Sequence, residues 1–351
     1  MIKLIKKTLL CASALTLMIA TGVASAAPLS GFVYTANERD ASISEIALET
    51  GQVRTFKAPI VAHNVQITPD GAFLLAVGMT AEGHEKEGAH DAHGMQKMEP
   101  VNDEGKLMIF DVRNLDKPVA SLPAGKHPAH VVTDREGQRA FVTSSEENAI
   151  TVLDLARRKV IGKIDTGASP HGLRPSPDGK ELYVANIGDD SVLVVNTTTL
   201  KVVARIPVGK APAQVGFTPD GRQVYVSLSG ENKVAIIDVA TRQVIGKVDV
   251  GRSPIQVYAT SDGKTMYVAN QGSEKAWDDK VSVIDIASRK VIAAVTTGPG
   301  AHGVVVDSSG KTAFVTNIDA GTVSAIDTNT QQVTSTFKVG AGPNGISYRR
   351  K

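Results

Sequence analysis

The chain has 351 residues, of which 21% are charged, with a formal net charge of +2 and one cysteine. So nearly neutral a chain excludes a general electrostatic attraction to nucleic acid or to anionic lipid. A single cysteine excludes a disulfide framework.

Lys3, Lys6 and Lys7 precede an apolar run from Thr8 to about Ala20, and Ala24-Ser25-Ala26 follows in a small-x-small pattern. This reads as a cleaved secretory signal over residues 1–26, which predicts a periplasmic protein. Cys11 lies inside it, so the mature chain, 27–351, has no thiolate metal ligand. No later segment is long and apolar enough to span a bilayer, so no membrane insertion is expected.

The rest of the sequence repeats itself. Ser169-Pro170-His171-Gly172-Leu173 is followed by Pro177-Asp178-Gly179, then Leu182-Tyr183-Val184-Ala185-Asn186, then Ser191 to Asn196, then Lys201 to Ile206. The next unit runs Ala211-Pro212-Ala213-Gln214, Pro219-Asp220-Gly221, Val224 to Ser227, Val234 to Asp238 and Gln243 to Val248. Further copies start near Ile60, His127, Arg252 and Pro299. Each unit of about 42 residues holds four short β-branched runs, and the Asp-Gly between two of them is a hairpin signal. Four antiparallel strands at this period predict a propeller blade. Residues 32–57 supply three strands without a first, and Pro343 to Tyr348 supply a lone one. The expected fold is therefore all-β: a monomeric seven-bladed β-propeller of four-stranded blades, closed by strands from both termini. Asp111, Asp154, Asp238, Asp285 and Asp327 recur at the ends of third strands, where a turn-capping role is expected.

Tyr183-Val184-Ala185-Asn186, Tyr267-Val268-Ala269-Asn270 and Phe314-Val315-Thr316-Asn317 resemble the signature of the YVTN β-propeller repeat family. The resemblance covers essentially the whole mature chain. It implies the fold and a kinship with the cytochrome d1-haem domain group, and leaves the activity to the site.

Seven residues stand just before the predicted first strands: His63, His130, His171, Gln214, Gln256, His302 and Asn344. The repeat predicts a ring of imidazoles and amides around the channel mouth. Imidazoles suit copper, zinc or haem iron. The same side chains also suit hydrogen bonding at the blade junctions. A second donor set lies in an insertion at 79–105, with His84, His90, His93, Met95 and Met98, a composition that favours copper or zinc. Another lengthened loop, Gln271 to Lys280, carries Trp277, the only tryptophan, among Glu274, Asp278 and Asp279. No nucleophile elbow, Walker loop or His-Glu-x-x-His motif is present.

The reading these features support is a non-catalytic binding protein, using this face for a metal or a protein partner. The first alternative is a d1-haem-type cofactor protein with an axial histidine. The second is a lactonase-like hydrolase, which needs an acid, an arginine and a histidine on the axis. The seven-residue ring contains neither acid nor arginine.

Overall fold

The computed structural model describes residues 29–80 and 104–351. The signal segment lies outside these. Seven four-stranded antiparallel sheets form the propeller. The innermost strands of blades 1 to 7 are Ile60–Ile67, Pro128–Thr133, Pro170–Pro175, Pro212–Phe217, Pro254–Ala259, Ala301–Val306 and Pro343–Arg349.

The burial pattern follows from blades stacked face to face. The second and third strands are covered on both sides and read as continuous apolar runs, such as Glu181–Asn186 and Ser191–Asn196. The outer strand has fewer neighbours. Lys201–Pro207 exposes most of its residues and buries Ile206 alone. The hydrophobic core is correspondingly a ring of inter-blade clusters. One joins Tyr183 and Val194 to Val215, Val224 and Ile237 of the next blade, and another joins Val33 and Ile46 to Phe314 and Val323.

Local chemistry fixes the hairpins. In the Pro-Asp-Gly turns the aspartate accepts a hydroxyl before it and a backbone N–H after it, as Asp220 does from Thr218 (2.6 Å) and Arg222 (3.0 Å). The glycine that follows is left-handed, with φ of 70° at Gly221. The third-strand aspartates cap the opposite hairpins. Asp238 accepts the Thr241 N–H at 2.8 Å, and Asp327 accepts that of Thr330 at 2.8 Å.

Blade 7 is built from both ends of the chain. Phe32–Asn37 pairs with Ser42–Ala47 on one side and with Pro343–Arg349 on the other. Arg349 stacks over Phe32 at 4.2 Å, and its Nε donates to the Tyr34 hydroxyl at 3.1 Å. This joint leaves no open sheet edge between the first and last blades. One boundary differs from the sequence reading. In blade 1 the second and third strands extend to Phe73–Thr80 and Glu104–Asp111, taking both ends of the 79–105 insertion into the sheet. The ladder between the first and second strands runs on to this end, with Thr80 opposite Ile60.

Two tyrosines at the same repeat position separate packing from hydrogen bonding. Both rings are fully buried. The Tyr267 hydroxyl donates to Gln331 Oε1 at 2.8 Å, whereas that of Tyr225 has no partner among the described residues. Tyr267→Phe is expected to cost about 1 kcal/mol in urea unfolding. Tyr225→Phe is expected to change stability by less than about 0.5 kcal/mol, or to raise it. The reverse order would show that the burial accounts for neither.

Candidate metal centre at the channel mouth

In every blade one apolar residue of the first strand faces the middle of the second: Val65, Val131, Leu173, Val215, Val257, Val304 and Ile346. Just ahead of it the ladder slips by one residue in all seven blades. The expected ring falls on this bulge, which corrects the sequence reading twice. The residues are inside the first strands, and they occupy two adjacent positions. His130, Gln214 and Gln256 are one residue before the apolar reference. His63, His171, His302 and Asn344 are two before it.

The two positions are complementary for a steric reason. Where the earlier position is large, the later one is glycine in three blades: Gly172, Gly303 and Gly345. A Cβ on Gly172 would lie 2.5 Å from the Ala213 carbonyl oxygen, and one on Gly303 the same distance from that of Asn344. A Cβ on Gly345 would lie 2.6 Å from Asn64 Cα. Near the axis there is room for about one large side chain per blade. Two blades carry two, blade 1 with His63 and Asn64 and blade 5 with Ile255 and Gln256.

The amides and imidazoles then divide. The amide oxygens accept backbone N–H groups that the bulge leaves unpaired: Asn64 from Val131 (3.3 Å), Gln214 from Val215 (2.9 Å) and Gln256 from Val304 (3.3 Å). Three imidazoles converge instead. The ring centroids of His130 and His171 are 4.7 Å apart, those of His63 and His171 5.5 Å, and those of His63 and His130 5.7 Å, all edge to face. One ring nitrogen from each lies within 4.8 Å of the others.

Hydrogen bonding orients two of the three. His171 Nδ1 lies 3.0 Å from the Ala213 carbonyl, to which it donates. His63 Nδ1 lies 3.1 Å from Glu38 Oε1. Both Nε2 atoms are thereby left for another partner. His63 Nε2 and His130 Nε2 are buried and make no hydrogen bond among the described residues, and His302 Nδ1 is in the same condition.

Glu38 sits in the 3-10 turn Glu38–Asp40, between the second and third strands of blade 7. Asn344 Nδ2 donates to its other oxygen at 2.6 Å. Burial alone would raise the Glu38 carboxyl, but His63 beside it and the hydrogen bonds from His63 and Asn344 pull it down to about 2. Burial likewise opposes a charge on His63, and Glu38 outweighs it, so the imidazole is raised. The other three hub histidines have no carboxylate within hydrogen-bonding distance among the described residues. Desolvation and the neighbouring imidazoles hold His171 at about 4, His302 at about 3 and His130 well below its usual value.

Glu38 overturns the expectation of a ring without an acid, and Arg174 that of an axis without an arginine. Arg174, on the first strand of blade 3, lines the channel below the histidines with Gln214, Gln256 and Tyr258 around a cavity of about 80 Å³. The sequence held a signal for Glu38. The residue following the Asn of Tyr-x-x-Asn is serine, isoleucine or glutamine in most blades and a carboxylate only here.

The sequence predicts two other features. His84, His90, His93, Met95 and Met98 fall outside the described residues. Trp277, on the short hairpin Gly272–Ser273 and Ala276–Trp277, is engaged within the molecule. Arg39 stacks on it at 5.8 Å and pairs with Asp319 at 3.3 Å, tying three blades together at the rim.

The neutral imidazoles give the metal-free protein a pH dependence of known sign. For His171 and His302 the folded pKa is depressed, so below about 6.5 the unfolded chain takes up protons that the fold refuses. Stability is expected to be full above pH 6.5 and to fall toward pH 4, by up to about 1.4 kcal/mol per pH unit for each such group. His63, raised by Glu38, acts at higher pH, where its stabilisation builds as pH falls through its raised folded value and is complete below about 6.5. Urea midpoints at pH 7.5 and 5 test it. His302→Gln should flatten the loss, and an unchanged slope would contradict the assignment.

Comparison with known proteins gives the architecture a family. A family model described as lactonase, 7-bladed beta-propeller matches residues 95–347. No curated protein matches the chain. Among solved structures, the chain is similar to Kuenenia stuttgartiensis hydrazine synthase, at 20% identity and a TM-score of 0.67, over 82% of this chain and 89% of that one. It is also similar to a functionally unknown protein from Desulfotomaculum acetoxidans, at 14% identity and a TM-score of 0.73, over 92% and 99% of the two chains. A putative 6-phosphogluconolactonase from Bacteroides uniformis is 14% identical, with a TM-score of 0.71 over 91% and 99%. Such identities speak for the fold alone. No helix among the described residues is long and apolar enough to cross a membrane. With the family model matched along most of its length, the chain belongs to the seven-bladed β-propeller lactonase family.

Proposed function

We propose that this protein is a metal-binding propeller whose hub holds one copper or zinc ion on His63, His130 and His171. The observation that carries the reading is the convergence of three imidazole nitrogens within 4.8 Å, with two Nε2 atoms buried and unpartnered. A buried nitrogen lone pair left without a partner is costly, and a cation satisfies several at once. The outer partners fit as well. A metal-bound histidine commonly donates its second nitrogen to a carboxylate or a backbone carbonyl, the arrangement that His63 has with Glu38 and His171 with Ala213. Low basicity in His130 and His171 keeps their lone pairs free near neutral pH. Tetrahedral zinc, with Zn–N of about 2.0–2.1 Å, asks the nitrogens to close to roughly 3.4 Å from one another, a matter of small side-chain rotations. A periplasmic address, supported by the basic and apolar N-terminal segment, is part of the proposal. So is a place among the YVTN-type repeats, supported by the Tyr-Val-Ala-Asn runs.

A second reading, lactone hydrolysis, is favoured by Glu38 together with the family assignment. A cation held by His63, His130 and His171 would supply Lewis acidity for polarising a carbonyl or making a water more acidic. Glu38, held ionised on the Nδ1 side of His63, would orient that ligand and raise its basicity.

Titration of the metal-free mature protein with copper and zinc separates these readings. One equivalent is expected to bind with sub-micromolar affinity. Binding should weaken at least 100-fold in His130→Ala/His171→Ala and persist in a chain lacking residues 81–103. Binding lost in the deletion and kept in the double variant would move the site to the histidines of the insertion and end the hub reading. Turnover of a lactone panel by the metal-loaded protein, lost in Glu38→Gln with metal affinity retained, would establish the hydrolytic reading.

A further inference from the structure

The lower half of the channel contains a cation with no ion-pair partner among the described residues. The first-strand residue after the apolar reference points into the channel in each blade: Gln66, Val132, Arg174, Gly216, Tyr258, Val305 and Ser347. Arg174 is the only charged residue of this layer. Among the described residues its guanidinium makes no hydrogen bond or ion pair. Its one contact of note is the Tyr258 ring, 5.1 Å from Cζ. Tyr258 belongs to the second blade along, and the blade between presents Gly216 at this level. The missing side chain is what lets arginine and tyrosine meet. Burial lowers the Arg174 pKa, and a guanidinium keeps its charge in proteins.

This pair borders a cavity of about 320 Å³ that is separate from the histidine cluster and lies toward the Pro-Asp-Gly turns. That is the size of a small ligand pocket, roughly 300 Å³ and above. Its walls are mainly apolar, with Pro175, Pro177, Phe217, Pro219 and Val306. The one carboxylate in the lining, Asp307, is turned into its own hairpin, where it accepts the N–H groups of Lys311 (2.9 Å) and Thr312 (3.2 Å). Thr218 is likewise held by Asp220.

We infer that this second mouth binds a small organic carboxylate, its charged end on Arg174 and its apolar body along Tyr258 and the proline-lined wall. A planar guanidinium offers paired donors that match a carboxylate, and one positive charge in an apolar site is balanced by one negative charge. A phosphate dianion would leave excess charge in the same walls.

Benzoate is a suitable probe, with benzamide as its neutral counterpart and inorganic phosphate as the competing anion. Ligand-observed NMR and calorimetry on the mature protein are expected to show benzoate binding and none for benzamide. Affinity should fall at least about tenfold in Arg174→Gln, as loss of a charge-assisted pair implies, and recover in part in Arg174→Lys. Binding should be unaffected in His130→Ala/His171→Ala, so failure here and failure of the metal reading are independent. Benzoate should also raise the melting temperature of the wild type and leave that of Arg174→Gln unmoved. Equal affinity for benzamide, an unchanged affinity in Arg174→Gln, phosphate binding as tight as benzoate, or no binding of benzoate would each overturn the inference.

Discussion

Crowding at the axis is the constraint on which the rest of the molecule depends. Seven first strands converge where the blades are narrowest, and each must admit its neighbour's backbone. The solution is a shared bulge just before the apolar reference residue, with space for about one large side chain per blade. Gly172, Gly303 and Gly345 yield so that His171, His302 and Asn344 can be present. A bulge frees backbone N–H groups that the ladder would have used. Asn64, Gln214 and Gln256 satisfy three of these. Hydroxyls on the second strands complete the joint. Thr143 donates to the His171 carbonyl at 2.7 Å and Thr316 to that of Asn344 at 3.1 Å, each across a blade boundary.

The same crowding explains the electrostatics. Histidines at the hub are desolvated and close together, so all but one are driven toward the neutral form. The exception is the one with a carboxylate in reach. A group of weakly basic nitrogens at one mouth and a guanidinium near the other divide the channel into regions of different chemistry. The upper region offers lone pairs to an acceptor of electrons, and the lower offers donors to an anion.

Much of the architecture was legible because the repeat is local. The Pro-Asp-Gly turns, the apolar pairs of strands and the split blade at the chain ends all recur at a readable spacing, and the structure has them. The ring was legible in composition but not in register. His171 is one residue after Pro170 and Gln214 two after Pro212, so the two stand at different levels although the expected ring groups them together, and the ladder places a bulge between the levels. Glu38 was hidden for a different reason. It is on the opposite end of the chain from Asn344, 306 positions away, and joins the ring only because the two termini complete one blade. Arg174 was passed over because its partner is a stack two blades distant, made possible by the absence of a side chain at Gly216. Nothing in the spacing of one repeat encodes that contact.

The closing joint also sets how the ring would yield to force. Phe32 pairs with Arg349 and Asn37 with Pro343, so the two outer ends of the paired strands lie together at one end of the ladder. A pull that separates them loads the rungs singly, starting at Phe32–Arg349, in the manner of a zipper. A strand pair pulled from opposite ends would resist with all its rungs at once. The hub histidines lie at the far end of this ladder, beside Asn37 and Pro343. Traction on the termini would therefore open most of the seam before the Glu38–Asn344 contact bears load.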